Sequence, residues 1–360
     1  MANEIPSLLS RIHGPILITG HTGFKGTWLT LLLEALDIEV VGYSLKPEAE
    51  SLYSRLNRQG EIVEIYDDIC DIETLDNFAR NTKITSIIHL AAQPLVLDSY
   101  RNPLTTFQTN AMGTANVLEV ARKNKFINCV VAATTDKVYR NDNQGRHFIE
   151  SDPLGGKDPY SASKVGAESA ISAWQHLSHI EDGPKIISVR AGNVIGGGDW
   201  AKNRLLPDLI RGFSKEENVI VRNPRSTRPW QHVLDPLMGY LLSLSYGLGG
   251  GNIDSFNFGP SEPSLSVKEV VEISSSAWKG QTFIQEEEGH QTKKLESSVL
   301  ELDARRAREC LSWTPVWKQQ DAINRTVDWW YKYLILGRNP LNLCREDIEY
   351  VLSYYLEFKK

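Results

Sequence analysis

Two short stretches carry side chains that could pass protons. In Asp158-Pro159-Tyr160-Ser161-Ala162-Ser163-Lys164, the phenol and the ammonium are four residues apart at a helix start, hence on one face of it. A free phenol has a pKa of ~10, and cations beside it in a partly dry cleft lower that value. A drop of ~3 units takes about 4 kcal/mol of preferential stabilisation of the phenolate, after which Tyr160 serves as a base near neutral pH. The second stretch, Thr134-Thr135-Asp136-Lys137-Val138-Tyr139, closes an apolar run, Cys129–Ala133, that reads as a strand. Thr135, at that strand end, would hydrogen-bond the same hydroxyl that Tyr160 deprotonates. Taken alone, the Tyr-Lys pair is equally a surface helix start capped by Asp158 with Lys164 in solvent.

An element that would position this chemistry lies in Pro15–Leu33. The apolar run Ile16-Leu17-Ile18 meets Thr19-Gly20-His21-Thr22-Gly23-Phe24-Lys25-Gly26, and helical periodicity begins at Trp28. Strand, glycine loop and helix in that order form a dinucleotide cradle: a tight turn, close backbone approach to a diphosphate, and close helix–strand packing. The helix start then turns its N–H groups to the anion. Glu39–Tyr43 reads as a second strand, with Ser44 where an acid usually holds the adenosine ribose and Lys46 close by, which leaves NAD and its 2′-phosphate both open. Glu61–Ile65 is a third strand. Asp68 is the candidate for adenine, whereas Asp71 is as readily a helix cap. Ser86–Leu90 runs into Ala91-Ala92-Gln93-Pro94, small residues that let backbone approach a planar ring. A long helical stretch over 103–124 contains Thr109-Asn110, either a tucked hydrogen-bond bridge or a cofactor contact.

With Cys129–Ala133 and Lys185–Arg190 as fifth and sixth strands and a helix over 161–178 between them, the alternation predicts right-handed crossovers and a parallel sheet covered on both faces. The expected fold is α/β: a Rossmann-like doubly wound sheet with a smaller mixed lobe. From Ala191 the chain becomes glycine-rich and polar, then dense in Arg and aromatic residues around Arg228 and Trp230. The division expected is a dinucleotide domain over 1–190 with a return near 231–258, and a substrate lobe from 191–230 and 259–360. Helices are expected over 267–277, 322–333 and 345–358.

Composition narrows the classes. A formal charge of −6 over 360 residues leaves no basic footprint for nucleic acid, though Arg clusters could hold a phosphorylated small molecule. No apolar run reaches a membrane span and the first fifteen residues lack a signal pattern, so a cytoplasmic protein is expected. The four cysteines are far apart, and the eight histidines show no metal spacing, so neither disulfides nor a metal is expected.

TGHTGFKG, YSASK and RAGNVIGGGDW resemble the extended short-chain dehydrogenase/reductase family, within it the sugar-nucleotide 4,6-dehydratases. HLAAQPLV, TTDKVY, DPLGGKDPYSASK and RNPRSTRPWQHVLDPLMGYLL extend the resemblance to the branch that acts on CDP-glucose, through about residue 260. It weakens over 281–302, where a His-Glu pair usual in the family reads Leu295-Glu296. The diphosphate clamp of the dTDP-sugar branch is absent.

The resemblance implies a lyase in deoxysugar and lipopolysaccharide precursor synthesis, with NAD regenerated in each cycle. Tyr160 takes the 4-hydroxyl proton as hydride leaves carbon 4. The resulting ketone acidifies carbon 5; Lys137, neutral, removes that proton, and Asp136, protonated, assists departure of the 6-hydroxyl as water before hydride returns to carbon 6. Cofactor positions carried over are Gly20, Thr22, Gly23, Phe24, Lys25, Ser44, Asp68, Ile69, Leu90, Ala91, Ala92, Thr109, Tyr160 and Lys164. Sugar-nucleotide positions are Gln93, Asn193, Arg204, Leu206, Arg228, Trp230, His232 and Asn257. A homodimer is the family habit. A GDP-mannose-type dehydratase, a 4-epimerase and a non-catalytic dinucleotide sensor remain alternatives; an epimerase has no need of Asp136 and Lys137, and a sensor has no need of Thr135, Tyr160 and Lys164.

Overall fold

Seven short strands pair in parallel in one sheet of the computed structural model, which describes residues 9–141, 145–287 and 300–356. They are β1 (Ile16–Thr19), β2 (Val40–Ser44), β3 (Val63–Tyr66), β4 (Ser86–His89), β5 (Cys129–Ala133), β6 (Lys185–Ala191) and β7 (Ser255–Phe258). The order across the sheet is β3-β2-β1-β4-β5-β6-β7, every neighbour parallel. This is the expected doubly wound fold. Six of the strands are visible as apolar runs; the seventh, Ser-Phe-Asn-Phe, is too short and mixed to announce itself. Leu295-Glu296 lies outside the described residues.

Apart from the edge strand β3, both faces are buried, as a parallel sheet requires. Side chains alternate along each strand: Ile16 and Ile18 enter one core and Leu17 the other, while Val131 and Val130, Ile187 and Ile186 divide the same way. One layer is built by α1 (Phe24–Ala35), the other by α2 (Ile72–Thr82), α3 (Gly113–Lys123) and α4 (Pro159–Glu181). The stretch expected as one helix over 103–124 is interrupted by a π-turn at Gln108–Met112. α4 starts where its chemistry dictates: Pro159 sits in the first turn and Asp158 and Ser161 form a reciprocal capping box.

The rest of the chain follows β6 and shares the core on the α1 side of the sheet. It contains α5 (Leu205–Lys215), α6 (Leu234–Leu248), α7 (Val267–Ala277), α8 (Gln319–Leu334), α9 (Pro340–Leu356) and a parallel pair, Asn218–Arg222 with Phe283–Glu287. α6 returns to the sheet just before β7. The tail helix begins five residues earlier than the sequence suggests, because the Asn339 carboxamide caps the amides of Leu341 and Asn342 and Pro340 fits the first turn. Trp28 on α1 donates Nε1–H to the Gly197 carbonyl at 2.9 Å, and a methyl on Gly197 would meet the Trp329 ring at 2.0 Å. The glycine-rich segment is thereby wedged between the first helix and the C-terminal helices. Among the described residues no helix is long and apolar enough to cross a membrane.

Candidate active site

The strand order reverses between β1 and β4, and a crevice at such a switch point is where doubly wound folds bind ligands. Beside it β5 ends, and the chain passes Thr134 and Thr135 into one 3-10 turn, Asp136–Val138. The Thr135 hydroxyl accepts from the Lys137 amide at 3.4 Å and donates to Asp136 Oδ1 at 2.9 Å. Asp136, 1% exposed, also takes Lys137 Nζ at 3.2 Å. The ammonium reaches on to Asn193 Oδ1 at 3.3 Å, in the loop after β6. Adjacent strands thus present one ion pair, steadied by an amide.

α4 turns Tyr160 and Lys164 inward rather than to solvent. Burial pushes the Tyr160 phenol above its ordinary pKa; the Lys137 ammonium, the Thr135 hydroxyl and, less, Arg204 oppose it. The first cation acting on the phenol is Lys137; Lys164 Nζ donates to the Ala133 carbonyl at 3.1 Å. Lys164 is itself lowered to about 8 by burial, against the pull of Glu168 one turn on.

Lys25 also faces this cluster. Its Nζ donates to the Tyr240 hydroxyl of α6 at 3.1 Å, and burial together with Arg204, Lys164 and Lys137 lowers its pKa to about 7, Asp136 opposing. Arg204 pairs with Asp199 at 3.1 Å.

Behind the crevice lies a saturated network. Glu168 takes Thr134, Ser188 and Arg190 Nε on Oε1 at 2.5, 2.7 and 2.8 Å, and Arg190 Nη2 on Oε2 at 2.7 Å. Arg190 Nη1 donates to Tyr139 Oη at 2.9 Å, and Tyr139 donates to Asn257 Oδ1 at 2.7 Å. Thr134 and Tyr139 flank the Thr135–Lys137 segment, so this network fixes both its ends.

A family model described as GDP-mannose 4,6 dehydratase matches residues 17–334. The chain belongs to that dehydratase family. It is 39% identical over 349 residues to a CDP-glucose 4,6-dehydratase from Salmonella typhimurium, covering 94% of this chain and 96% of that one. It is 26% identical to a UDP-glucuronate 4-epimerase from Thermodesulfobacterium geofontis, covering 88% of this chain and 96% of the relative. In fold it resembles a double mutant of DesIV, a dTDP-glucose 4,6-dehydratase from Streptomyces venezuelae solved with NAD, at a TM-score of 0.77 and 22% identity, over 91% of this chain and 99% of that one.

The dehydratase-family loop leaves room for a diphosphate. Gly20 has φ +76°, and a methyl there would meet Ala91 N at 2.8 Å, while one on Gly26 would meet the Gly20 carbonyl at 2.1 Å. Gly23, by contrast, is exposed and caps α1 without a side chain, leaving the helix start open to an anion. Leu90 and Ala91 are drawn to this turn by Thr19, whose hydroxyl takes both amides and meets His89 Nδ1 at 2.7 Å. Ser44 Oγ pairs with Thr22 Oγ1 at 2.8 Å, so two hydroxyls stand where such folds usually carry an acid.

Not every candidate reaches the crevice. His232 is 0% exposed, its ring tilted 59° against Trp317 with centroids 4.2 Å apart and its pKa lowered to about 3 by burial; it is a core histidine. Asn257, fully buried, spends its amide on Tyr139, Phe148 and Asp303. Trp230 and Leu206 are core side chains. Gln93 folds its amide onto the Leu95 backbone and Thr106. The Ile69 side chain packs under Gly113, and Asp68 Oδ1 is taken by the Cys70 amide. Phe24 leans on Gly196, Ala92 and Thr109 are half-buried, and Asn110 is the tucked bridge, between Gln93 backbone and Ser163. Arg228 borders the site through Pro229, which with Asp136 Oδ2 closes on Gly192. Asp71 caps α2 through Thr74.

Tyr240 and Glu168 were missed. Glu168 had a signal, four residues after Lys164 on the same helical face; Tyr240, inside an apolar helix, had none.

Proposed function

We propose that this chain is an NAD-dependent lyase that converts CDP-glucose to CDP-4-keto-6-deoxyglucose. The observation that carries the reading is the Asp136–Lys137 pair, 3.2 Å apart and next to Thr135 and Tyr160. One proton is shared by that pair. On nitrogen it gives an ion pair; on oxygen it gives a neutral amine and a carboxylic acid, the base for carbon 5 and the acid for the 6-hydroxyl. An epimerase would have no work for either. The relative at 39% identity supports CDP-glucose as substrate over the GDP- and dTDP-hexoses.

NAD, held by the open α1 start, the Thr22–Ser44 hydroxyls and the Leu90–Ala92 backbone, supplies when bound a hydride acceptor that gives the hydride back. The protein's own groups do the rest. Tyr160 takes the 4-hydroxyl proton, Lys164 fixes the floor of the crevice through Ala133, and Arg204 and Arg228 hold the diphosphate of the sugar nucleotide, for which guanidinium forks are suited. Residues 1–190 with 231–258 form the cofactor part, and 191–230 with 259–360 the substrate part.

The working form is a cytoplasmic homodimer, feeding deoxysugar and lipopolysaccharide precursor synthesis. Leu97, Tyr100, Leu104, Phe107 and Met112, all exposed on neighbouring turns of 96–112, support a helical contact between copies. Incubation with CDP-, dTDP-, UDP- and GDP-hexoses, read by the alkali-induced absorbance of a 4-keto product, should single out CDP-glucose. No product from it, at any cofactor concentration, rejects the reading. Sedimentation of Leu104→Glu should show monomers.

A further inference from the structure

We propose that Arg55 is a positioning residue for the diphosphate of the sugar nucleotide: it seats Trp200 and, through the neighbouring Asp199, aims Arg204. The inference rests on the reading above, in which Arg204 holds that diphosphate, and names what holds Arg204.

A guanidinium on a long side chain, here 34% exposed, keeps its aim only if something offsets the rotamer freedom it gives up. Arg204 Nη1 donates to Asp199 Oδ2 at 3.1 Å, and Asp199, 5% exposed, takes the Ala201 amide on Oδ1 at 3.2 Å. The carboxylate is thus fixed to the turn that carries it. Wherever residues 197–201 sit, Arg204 follows.

Those residues are gripped from two sides. Gly198 has φ +86°, and a methyl there would meet Leu52 Cδ1 at 2.4 Å, so the turn lies directly on the short helix Leu52–Arg55, which comes after β2. From that helix Arg55 sets its guanidinium carbon 5.1 Å from the centre of the Trp200 ring, 5.8 Å from Trp330 and 5.6 Å from Tyr333, the last two on α8. Its Nη1 donates to Tyr333 Oη at 3.2 Å, and its Nε to the Glu50 carbonyl at 2.9 Å. Trp200 in turn meets Trp330 with ring centroids 4.7 Å apart, and Arg211 of α5 donates to the Trp200 carbonyl at 3.0 Å. Three rings around one cation whose side chain is 16% exposed make a contact that depends on charge as well as shape. Arg55 comes from the cofactor part proposed above and Arg204 from the substrate part. Their link through Trp200 and Asp199 sets the diphosphate anchor relative to the cofactor.

The test is a double-variant cycle on the NAD-loaded enzyme, with CDP-glucose as substrate and the 4-keto product as readout. Arg55→Met should raise KM about tenfold and leave kcat within about twofold, the signature of binding lost equally from ground and transition states. Arg55→Lys, which keeps the charge but not the planar fork, should fall between. Arg204→Met should raise KM at least as much, and adding Arg55→Met to it should change KM by less than about twofold, because a guanidinium that is gone cannot be misaimed. Affinity for NAD should match wild type in Arg55→Met. If that variant does not fold, Arg55→Lys carries the same cycle. An unchanged KM, penalties that multiply in the double variant, a fall in kcat at constant KM, or weaker NAD binding each overturns the proposal and leaves Arg55 a structural contact. An Arg204→Met enzyme with unchanged KM instead rejects the placement of Arg204 on the diphosphate, and a wild type that makes no 4-keto product rejects the whole reading, so the failures are told apart.

Discussion

Two polar clusters meet along one face of α4 at the ends of β5 and β6, and they are finished differently. Behind the crevice, Glu168 and Arg190 meet in two parallel bonds, and Thr134, Ser188, Tyr139 and Asn257 fill what remains. The Glu168 carboxylate stays below its usual range despite burial, held there by Arg190. Facing the crevice, Lys25, Lys137, Lys164 and Arg204 gather near Asp136, and two of these four cations, Lys25 and Lys164, have a neutral hydroxyl or carbonyl rather than a carboxylate as hydrogen-bond partner. Burial there lowers Lys25 to about 7 and Lys164 to about 8. Completed pairing produces groups that do not titrate and therefore make a rigid wall. Incomplete pairing produces groups poised near neutrality, at a cost in stability that the wall behind must offset.

The contrast breaks most visibly if one residue of each cluster is removed. Tyr160→Phe should lower formation of the 4-keto product by roughly 10³- to 10⁴-fold, with the urea midpoint of the cofactor-free protein unchanged or slightly raised, since a buried hydroxyl is deleted. Lys137→Ala comes next: 4-oxidation, followed by the absorbance of the reduced nicotinamide, should persist, while water loss falls by about 10²- to 10³-fold. Full dehydration by that variant would remove Lys137 from the mechanism.

Glu168→Ala attacks the wall. It strands Arg190, 5% exposed, without its hydrogen-bonded carboxylate, and urea unfolding should register a loss of about 3–5 kcal/mol. Adding Arg190→Met should recover most of it, since the penalty belongs to the unpaired charge rather than to the missing contact. If the double variant is as unstable as the single one, the wall is held by packing alone.

What the sequence disclosed follows the same division. Positions that act through backbone or local spacing were legible: the glycine turn at 20–26, the capped start of α4, the Tyr160–Lys164 face and the run Thr135-Asp136-Lys137. Alternating apolar strands gave the sheet, because a parallel strand buried on both faces has few ways to be written. Residues joined over long separations were not. His232 and Asn257 are polar in sequence and so looked like ligand contacts, yet each lies in the core with partners 85 to 118 residues distant. Tyr240 reads as one more apolar helix residue until the fold sets it against Lys25, 215 positions away.

The smallest effect sharpens the comparison most, because it separates charge from contact in the cofactor-free protein. Lys25 has a folded pKa of about 7 against an ordinary 10.5. Between those values the unfolded chain holds the proton and the folded chain does not, so stability rises with pH across this window, is fully present above it and is lost as pH falls through 7. Lys164, at about 8, adds a slope of the same sign from 8 upward. Lys25→Met keeps the length of the side chain and removes the titration. Its thermal midpoint should therefore gain on wild type by a few degrees at pH 7, on the order of 1 kcal/mol, and the advantage should shrink as pH approaches 10. Parallel curves for the two proteins would mean that Lys25 keeps its proton throughout, and that the front cluster is as fully paired as the one behind it.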